Sequence, residues 1–177
     1  MPVFSSVRSV FSTIGRRQSA EIALGIGSNM GDRRAQLKRA VDVLAQAEKP
    51  ILSDIRMLPF YNMVITGRTP LSPAALLNEL KRLEQRLGRV LRGHWAPREI
   101  DLDILAYDEV VMQTPALVIP HASLIERPFA LLPLAHLWPN WRYPVPGPLH
   151  GVPLRAIAER RYPGPQEEMR NIGMLYP

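Results

Sequence analysis

The chain has no cysteine among its 177 residues, which removes disulfides and thiolate-metal centres from consideration. That absence suits a reducing compartment without establishing one. No uninterrupted apolar run approaches the ~20 residues needed to span a bilayer, so a soluble protein with no membrane partner is expected. Aromatic side chains make up only 7% of the residues, a poor supply of stacking platforms for an RNA reader. The glycine-rich stretch G-I-G-S-N-M-G lacks the G-K-[ST] ending of a phosphate loop. Acids are scarce in two places. Residues 1–20 contain none, and between Lys81 and Arg98 the lone acid Glu84 stands against Lys81, Arg82, Arg86, Arg89, Arg92 and Arg98.

What is present fits a compact domain. The length corresponds to about one domain, and a hydrophobic content of 46% is ordinary for a globular core. A net charge of +6 suits an anionic ligand, either nucleotide or nucleic acid. Half of that excess comes from Arg8, Arg16 and Arg17. These sit with five serines in residues 1–20, where Val3, Phe4, Val7, Val10, Phe11 and Ile14 fall at helical spacing. The composition is that of an organellar transit peptide; a disordered extension or a docking helix fits it as well. A cytoplasmic location is expected, or an organellar one if residues 1–20 are a targeting segment.

The chain is organised around Trp95 to Leu105. From Glu99 to Ala106 the residues Ile100, Leu102, Ile104 and Ala106 alternate with Glu99, Asp101 and Asp103, the period-two pattern of a strand with one buried face. Asp101 and Asp103 then point the same way, with Cα atoms roughly 6.5 Å apart. Two such carboxylates repel unless a cation lies between them, and a pair of magnesium ions about 3.5–4 Å apart would match the spacing. The arginines upstream suit a polyphosphate. An Asp-x-Asp on an exposed strand face also suits two solvated side chains, and helix faces carry arginines routinely. Spacing alone does not choose between these readings.

Other elements read in order. Glu21 to Gly27 is a buried strand in which Gly25 and Gly27 allow close backbone approach. Asp32 caps a helix reaching about Gln46, with Leu37, Val41 and Leu44 inward. Strands follow over Ile51–Met57 and Phe60–Thr66. Ser72-Pro73 starts a second helix, which turns Leu76, Leu77, Leu80, Leu83 and Leu87 inward and stops at Gly88. After the aspartate strand come a helical stretch from Phe129 to Leu137, a proline-rich run over Tyr143–Pro148, and a last helix over Leu154–Arg161. Strand, helix, strand, strand, helix, strand predicts an α+β, ferredoxin-like sandwich (βαββαβ core) with a C-terminal helical extension. The aspartates are expected on the open sheet face, opposite the helices.

The run W-x-P-R-x-I-D-L-D-I-L closely resembles the signature of the 6-hydroxymethyl-7,8-dihydropterin pyrophosphokinase family of folate biosynthesis. Further matches lie in Ile26-Gly27-Ser28-Asn29 with Gly31-Asp32, in Leu87-Gly88-Arg89, in Ile119-Pro120-His121, and in Arg127, Phe129, Pro133 and Leu134. The resemblance covers Glu21 to about Tyr143 in the family's order. It implies a domain over residues 21–162, flanked by an N-terminal extension (1–20) and a tail (163–177).

The activity so implied is transfer of the β,γ-pyrophosphoryl unit of ATP to the hydroxymethyl oxygen of a reduced pterin, releasing AMP. Asp101 and Asp103 would hold two Mg2+ ions. Arg89, Arg98 and Arg127 would bind phosphate oxygens; His121 would donate a hydrogen bond to the phosphate or nucleotide, and Ile104 would contact the nucleotide. Phe60 and Phe129 would sandwich the pterin, Asn62 would read its polar edge, and Trp95 would cover the closed site. ATP and the pterin are the expected partners of a monomer, with no nucleic acid.

The sequence also departs from the family pattern. The family's long Pro- and Gly-rich loop after the second strand is largely missing between Asp54 and Asn62. The second arginine after Gly-Arg falls on Leu91, with Arg92 one place late, and His94 replaces the usual arginine before the tryptophan. The pterin side is therefore the divergent side, which leaves open a related pterin acceptor or a relative that binds ATP or pterin without turnover. RNA binding on an open sheet face is a remote third reading, opposed by Glu99, Asp101 and Asp103 on that face.

Overall fold

The computed structural model describes residues 19–46, 53–58, 62–90 and 97–163. Its main sheet contains β1 (Ala20–Gly27), β2 (Ser53–Leu58), β3 (Asn62–Thr69) and β4 (Asp101–Tyr107), in the order β2-β3-β1-β4 with every neighbouring pair antiparallel. Helices α1 (Arg33–Gln46) and α2 (Pro73–Arg86) connect the strands, as the alternating pattern predicts. The element order thus matches expectation. β3, however, runs to Thr69 rather than Thr66, and a small hairpin of β5 (Met112–Gln113) and β6 (Val118–Ile119) was not anticipated.

Both connecting helices start as their local chemistry dictates. Asp32 Oδ1 accepts the Ala35 N–H at 3.0 Å, and Ser72 Oγ accepts the Ala75 N–H at 3.4 Å with Pro73 in the first turn. Each satisfies an N–H that has no partner within the helix. Their inner stripes, Leu37, Val41 and Leu44 on α1 and Leu76, Leu80, Leu83 and Leu87 on or just after α2, pack against Ile22, Leu24, Ile26, Ile100, Leu102 and Ile104. Each leucine so buried is worth ~1.5–3 kcal/mol.

The opposite face of the sheet is not open, contrary to the sequence expectation. Helix α3 (Pro128–Leu137) packs on β3 and β2, and α4 (Leu154–Arg161) packs on α3. Together they form a second core with Ala23, Val64, Leu105, Ala106, Leu131 and Leu134. A bulge in β4 makes this possible. Leu24 pairs with Ile104 and Ala23 with Ala106, so Leu105 is an extra residue. The expected alternation ends there, and both Leu105 and Ala106 turn toward α3, where one of them would otherwise face the first core. No helix among the described residues is long and apolar enough to cross a membrane.

Candidate active site

The α3 side of the sheet is covered only in part, and the uncovered part is a cleft. Its floor follows from strand register. On β1, Gly27 lies between Asn62 of β3 and Asp101 of β4, and Gly25 lies between Val64 and Asp103. Two glycines leave a trough without side chains between the acids and β3. A Cβ at Gly27 would come within 3.1 Å of Asn62 Oδ1, and one at Gly25 within 3.3 Å of a Leu105 methyl. His121, Arg127 and Phe129 complete the walls of a cavity of about 160 Å³. Ligand pockets commonly hold ~300–1,000 Å³, so the part of the cleft lined by described residues has room for one flat ring system.

Asp101 and Asp103 share the cleft face as the period-two pattern requires. Their surroundings differ. Asp101 Oδ1 lies 2.7 Å from Arg89 Nη1, and its Oδ2 lies 2.7 Å from Arg98 Nη1. The cations beside this acid are therefore guanidinium groups. The Asp103 side chain makes no hydrogen bond or ion pair with any described residue, and its charge acts on His121. Arg98 is fixed by its main chain, which exchanges two hydrogen bonds with Asn29: N–H to Asn29 Oδ1 at 2.6 Å and carbonyl from Asn29 N–H at 3.2 Å. Arg89 follows the end of α2 and also pairs with the buried Glu84.

His121 is brought to Asp103 by the same bulge that shapes the cleft, its N–H donating to the Leu105 carbonyl at 2.9 Å. Its Nδ1 accepts the Ser123 N–H at 3.1 Å, which keeps that nitrogen unprotonated and assigns the ring proton to Nε2. Burial lowers its pKa below the usual histidine value; Asp103 opposes that shift, Arg127 adds to it, and Asp101 opposes it more weakly. Arg127 caps α3, and its guanidinium lies 5.9 Å from the centroid of the half-exposed Phe129 ring.

The structure therefore gathers Asn62, Asp101, Asp103, His121, Arg127 and Phe129 in one cleft, with Arg89 and Arg98 tied to it through Asp101. Ile104 is the exception. It is 3% exposed and faces the helix-side core, so its side chain reaches no ligand in the cleft. Phe60, Trp95 and the shortened segment before Asn62 lie outside the described residues. The sequence pattern assigns no site role to Glu84 or Asn29. A signal for Glu84 existed, since it falls four residues after Leu80 on the leucine stripe, an unusual place for an acid.

No group of three or more His, Asp or Glu that could hold a metal occurs among the described residues. Two carboxylates on one face are nonetheless what magnesium takes from proteins, the remaining positions going to water and phosphate. The donor set fits that ion when it arrives with a polyphosphate.

A family model described as 7,8-dihydro-6-hydroxymethylpterin-pyrophosphokinase (HPPK) matches residues 23–139, which include every residue of this cleft. The chain belongs to the HPPK family. It is 36% identical over 136 residues to a 2-amino-4-hydroxy-6-hydroxymethyldihydropteridine pyrophosphokinase of Aquifex aeolicus, covering 71% of this chain and 85% of that one. The corresponding protein of Methylorubrum extorquens is 37% identical over 129 residues, 66% of this chain and 82% of that one. A folate synthesis bifunctional protein of Chlamydia caviae is 34% identical over 167 residues, 85% of this chain and 37% of the longer protein. Among solved structures, Plasmodium falciparum HPPK-DHPS superposes with a TM-score of 0.58 at 12% identity, over 81% of this chain and 42% of that one. That likeness concerns the fold alone.

Proposed function

We propose that this cleft carries the HPPK reaction, transfer of pyrophosphate from ATP to the hydroxymethyl group of 6-hydroxymethyl-7,8-dihydropterin in folate biosynthesis, giving AMP and the pterin diphosphate. The observation that carries the reading is the convergence of Asp101 and Asp103 with Arg89, Arg98, Arg127 and His121 around a glycine-floored cleft the size of one ring system. HPPK enzymes use ATP and Mg2+. Bound at Asp101 and Asp103, two magnesium ions would supply charge neutralisation of the triphosphate and a template for in-line attack.

The chain's own residues do the rest. Arg89 and Arg98 exchange Asp101 for phosphate oxygens when the triphosphate arrives, so their charge is already in place. Arg127 takes a third phosphate position and leaves the face of Phe129 to the pterin; the family resemblance assigns the other face to Phe60, outside the described residues. Asn62, at the end of the trough, hydrogen-bonds the polar edge of the heterocycle. His121 donates through Nε2, the nitrogen left free by Ser123. Ile104 can contribute only main-chain groups, which β4 exposes as an edge strand. The pterin hydroxymethyl oxygen attacks the β-phosphorus, loses its proton and displaces AMP. The family resemblance assigns to Trp95, outside the described residues, the task of excluding water, the competing acceptor.

The reading extends to architecture and organisation. The strand order β2-β3-β1-β4 with both helices on one face supports a ferredoxin-like sandwich. The family match over residues 23–139 and the packing of α4 on α3 support a catalytic domain over residues 21–162. The decisive experiment measures AMP release from Mg-ATP with and without 6-hydroxymethyl-7,8-dihydropterin. Release that depends on the pterin and disappears in Asp101→Ala and Asp103→Ala is expected; ATP binding without pterin-dependent release would leave a non-catalytic relative.

A further inference from the structure

Glu84 lines no part of the cleft, yet it is 2% exposed and every oxygen of its carboxylate is engaged. Oε1 accepts the Leu102 N–H at 2.7 Å and Lys81 Nζ at 2.8 Å, and Oε2 pairs with Arg89 Nη1. Burying a carboxylate is unfavourable unless it is both paired and hydrogen-bonded. Here it has three partners from three elements of the chain.

Two of those partners bear directly on the acids. Leu102 is the residue between Asp101 and Asp103, on an edge strand whose other side pairs with β1. Its outward N–H has no neighbouring strand to receive it. Glu84 takes that N–H, and Lys81 Nζ reaches the Leu102 carbonyl at 3.4 Å, so two side chains of α2 replace the missing strand. Arg89, the other partner, is the guanidinium that also holds Asp101 Oδ1 at 2.7 Å. One carboxylate therefore fixes both the main chain between the two acids and a cation against one of them.

Resting on the function proposed above, we infer that Glu84 is a positioning residue for pyrophosphoryl transfer, setting the pitch of β4 at Leu102 and aiming Arg89 at the triphosphate. The alternative is a core acid that matters for stability alone. The two differ in what happens when only the charge is removed. Glu84→Gln keeps the shape and an acceptor for the Leu102 N–H but loses the charge facing Arg89.

The test compares wild type, Glu84→Gln, Arg89→Ala and the double variant in the full chain, reading melting temperature, kcat for pterin-dependent AMP release, and KM for Mg-ATP. Expected for Glu84→Gln is a folded protein with kcat lower by roughly ten- to a hundredfold and KM changed less than about threefold. On the Arg89→Ala background the same substitution should cost less than about twofold, because the residue through which it acts is gone. A Glu84→Gln protein with wild-type kcat, or an equal loss on both backgrounds, overturns the inference.

A second arm survives any folding failure of the variant. In nucleotide-free wild type the Leu102 amide should exchange with solvent on the order of a hundredfold more slowly than an open edge-strand amide. Free exchange there overturns the anchor outright. Wild type without pterin-dependent release would instead sink the functional reading, with the Leu102 amide still deciding whether Glu84 holds the strand.

Discussion

The two ends of the cleft hold the same functional group in opposite circumstances. At one end Asp101 has both carboxylate oxygens on guanidinium groups, from Arg89 after α2 and from Arg98 at the head of β4. At the other end Asp103, two residues along the same strand, has no side-chain hydrogen bond or ion pair among the described residues and faces His121. The first end is organised by its ion pairs, and on the proposed function it would undergo a displacement when metal and phosphate take the arginines' place. The second would take a cation without displacing one. On the proposed function the acids would divide the labour: Asp101 would couple metal binding to the arrival of phosphate, and Asp103 would offer a carboxylate with no arginine to displace.

The largest expected effect ignores that difference. If both carboxylates hold metal during transfer, Asp101→Ala and Asp103→Ala should each lower turnover on the order of 10³-fold, the equivalent of several kcal/mol of charge stabilisation. Steady-state AMP release checks it. A loss confined to one of the two would show that one acid alone carries the metal chemistry.

The next effect separates the acids. Without ligands, Asp101→Asn should destabilise the fold by about 1–2 kcal/mol, because it strips Arg89 and Arg98 of a shared partner that is only partly exposed. Asp103→Asn should change stability by no more than ~0.5 kcal/mol, or raise it by relieving the repulsion between neighbouring acids. Urea titrations of the two variants read the contrast directly. Equal losses would mean that the arginine pairs contribute nothing measurable to stability.

How far this site could be read from sequence depends on which physical signal each part leaves. The shared direction of Asp101 and Asp103 follows from a two-residue period, and it survives because the pattern is unbroken up to Ile104. The caps at Asp32 and Ser72 are local chemistry and were equally legible. The bulge at Leu105 was not, since an extra residue in an all-apolar run Ile104-Leu105-Ala106 leaves no polar marker to show the change of face. The covering of the second sheet face escaped for a related reason. Helix α3 is apolar nearly all round and carries Pro133 inside it, so its sequence announces burial without saying against what. The roles of Glu84 and Asn29 depend on contacts across 18 and 69 positions, which no window of local pattern contains.

A smaller effect tests the displacement at Asp101. Arg98→Gln removes one of its two cations, and the nucleotide-free protein should then bind Mn2+ about three- to tenfold more tightly, roughly 1 kcal/mol. In the presence of ATP the advantage should vanish or reverse, because the arginine now serves the phosphate. Calorimetric titration with and without a non-hydrolysable nucleotide distinguishes the two conditions. Tighter Mn2+ binding in both would show that Arg98 opposes the metal and does nothing for the triphosphate.

The smallest effect is a proton equilibrium at the Asp103 end. Burial lowers the pKa of His121 below the ordinary 6.5, so the unfolded chain takes up its proton first as pH falls. The stability this residue contributes is fully present above pH 6.5 and is lost as pH drops through the lower, folded-state value. Asp103 opposes the shift more strongly than Asp101 does. Asp103→Asn should therefore push the His121 midpoint further down, and Asp101→Asn should move it less, as followed by the imidazole resonances in a ligand-free NMR titration. Equal displacement by the two variants would mean that His121 senses both carboxylates alike, and that the arginines leave the charge of Asp101 as exposed to the cleft as that of its neighbour.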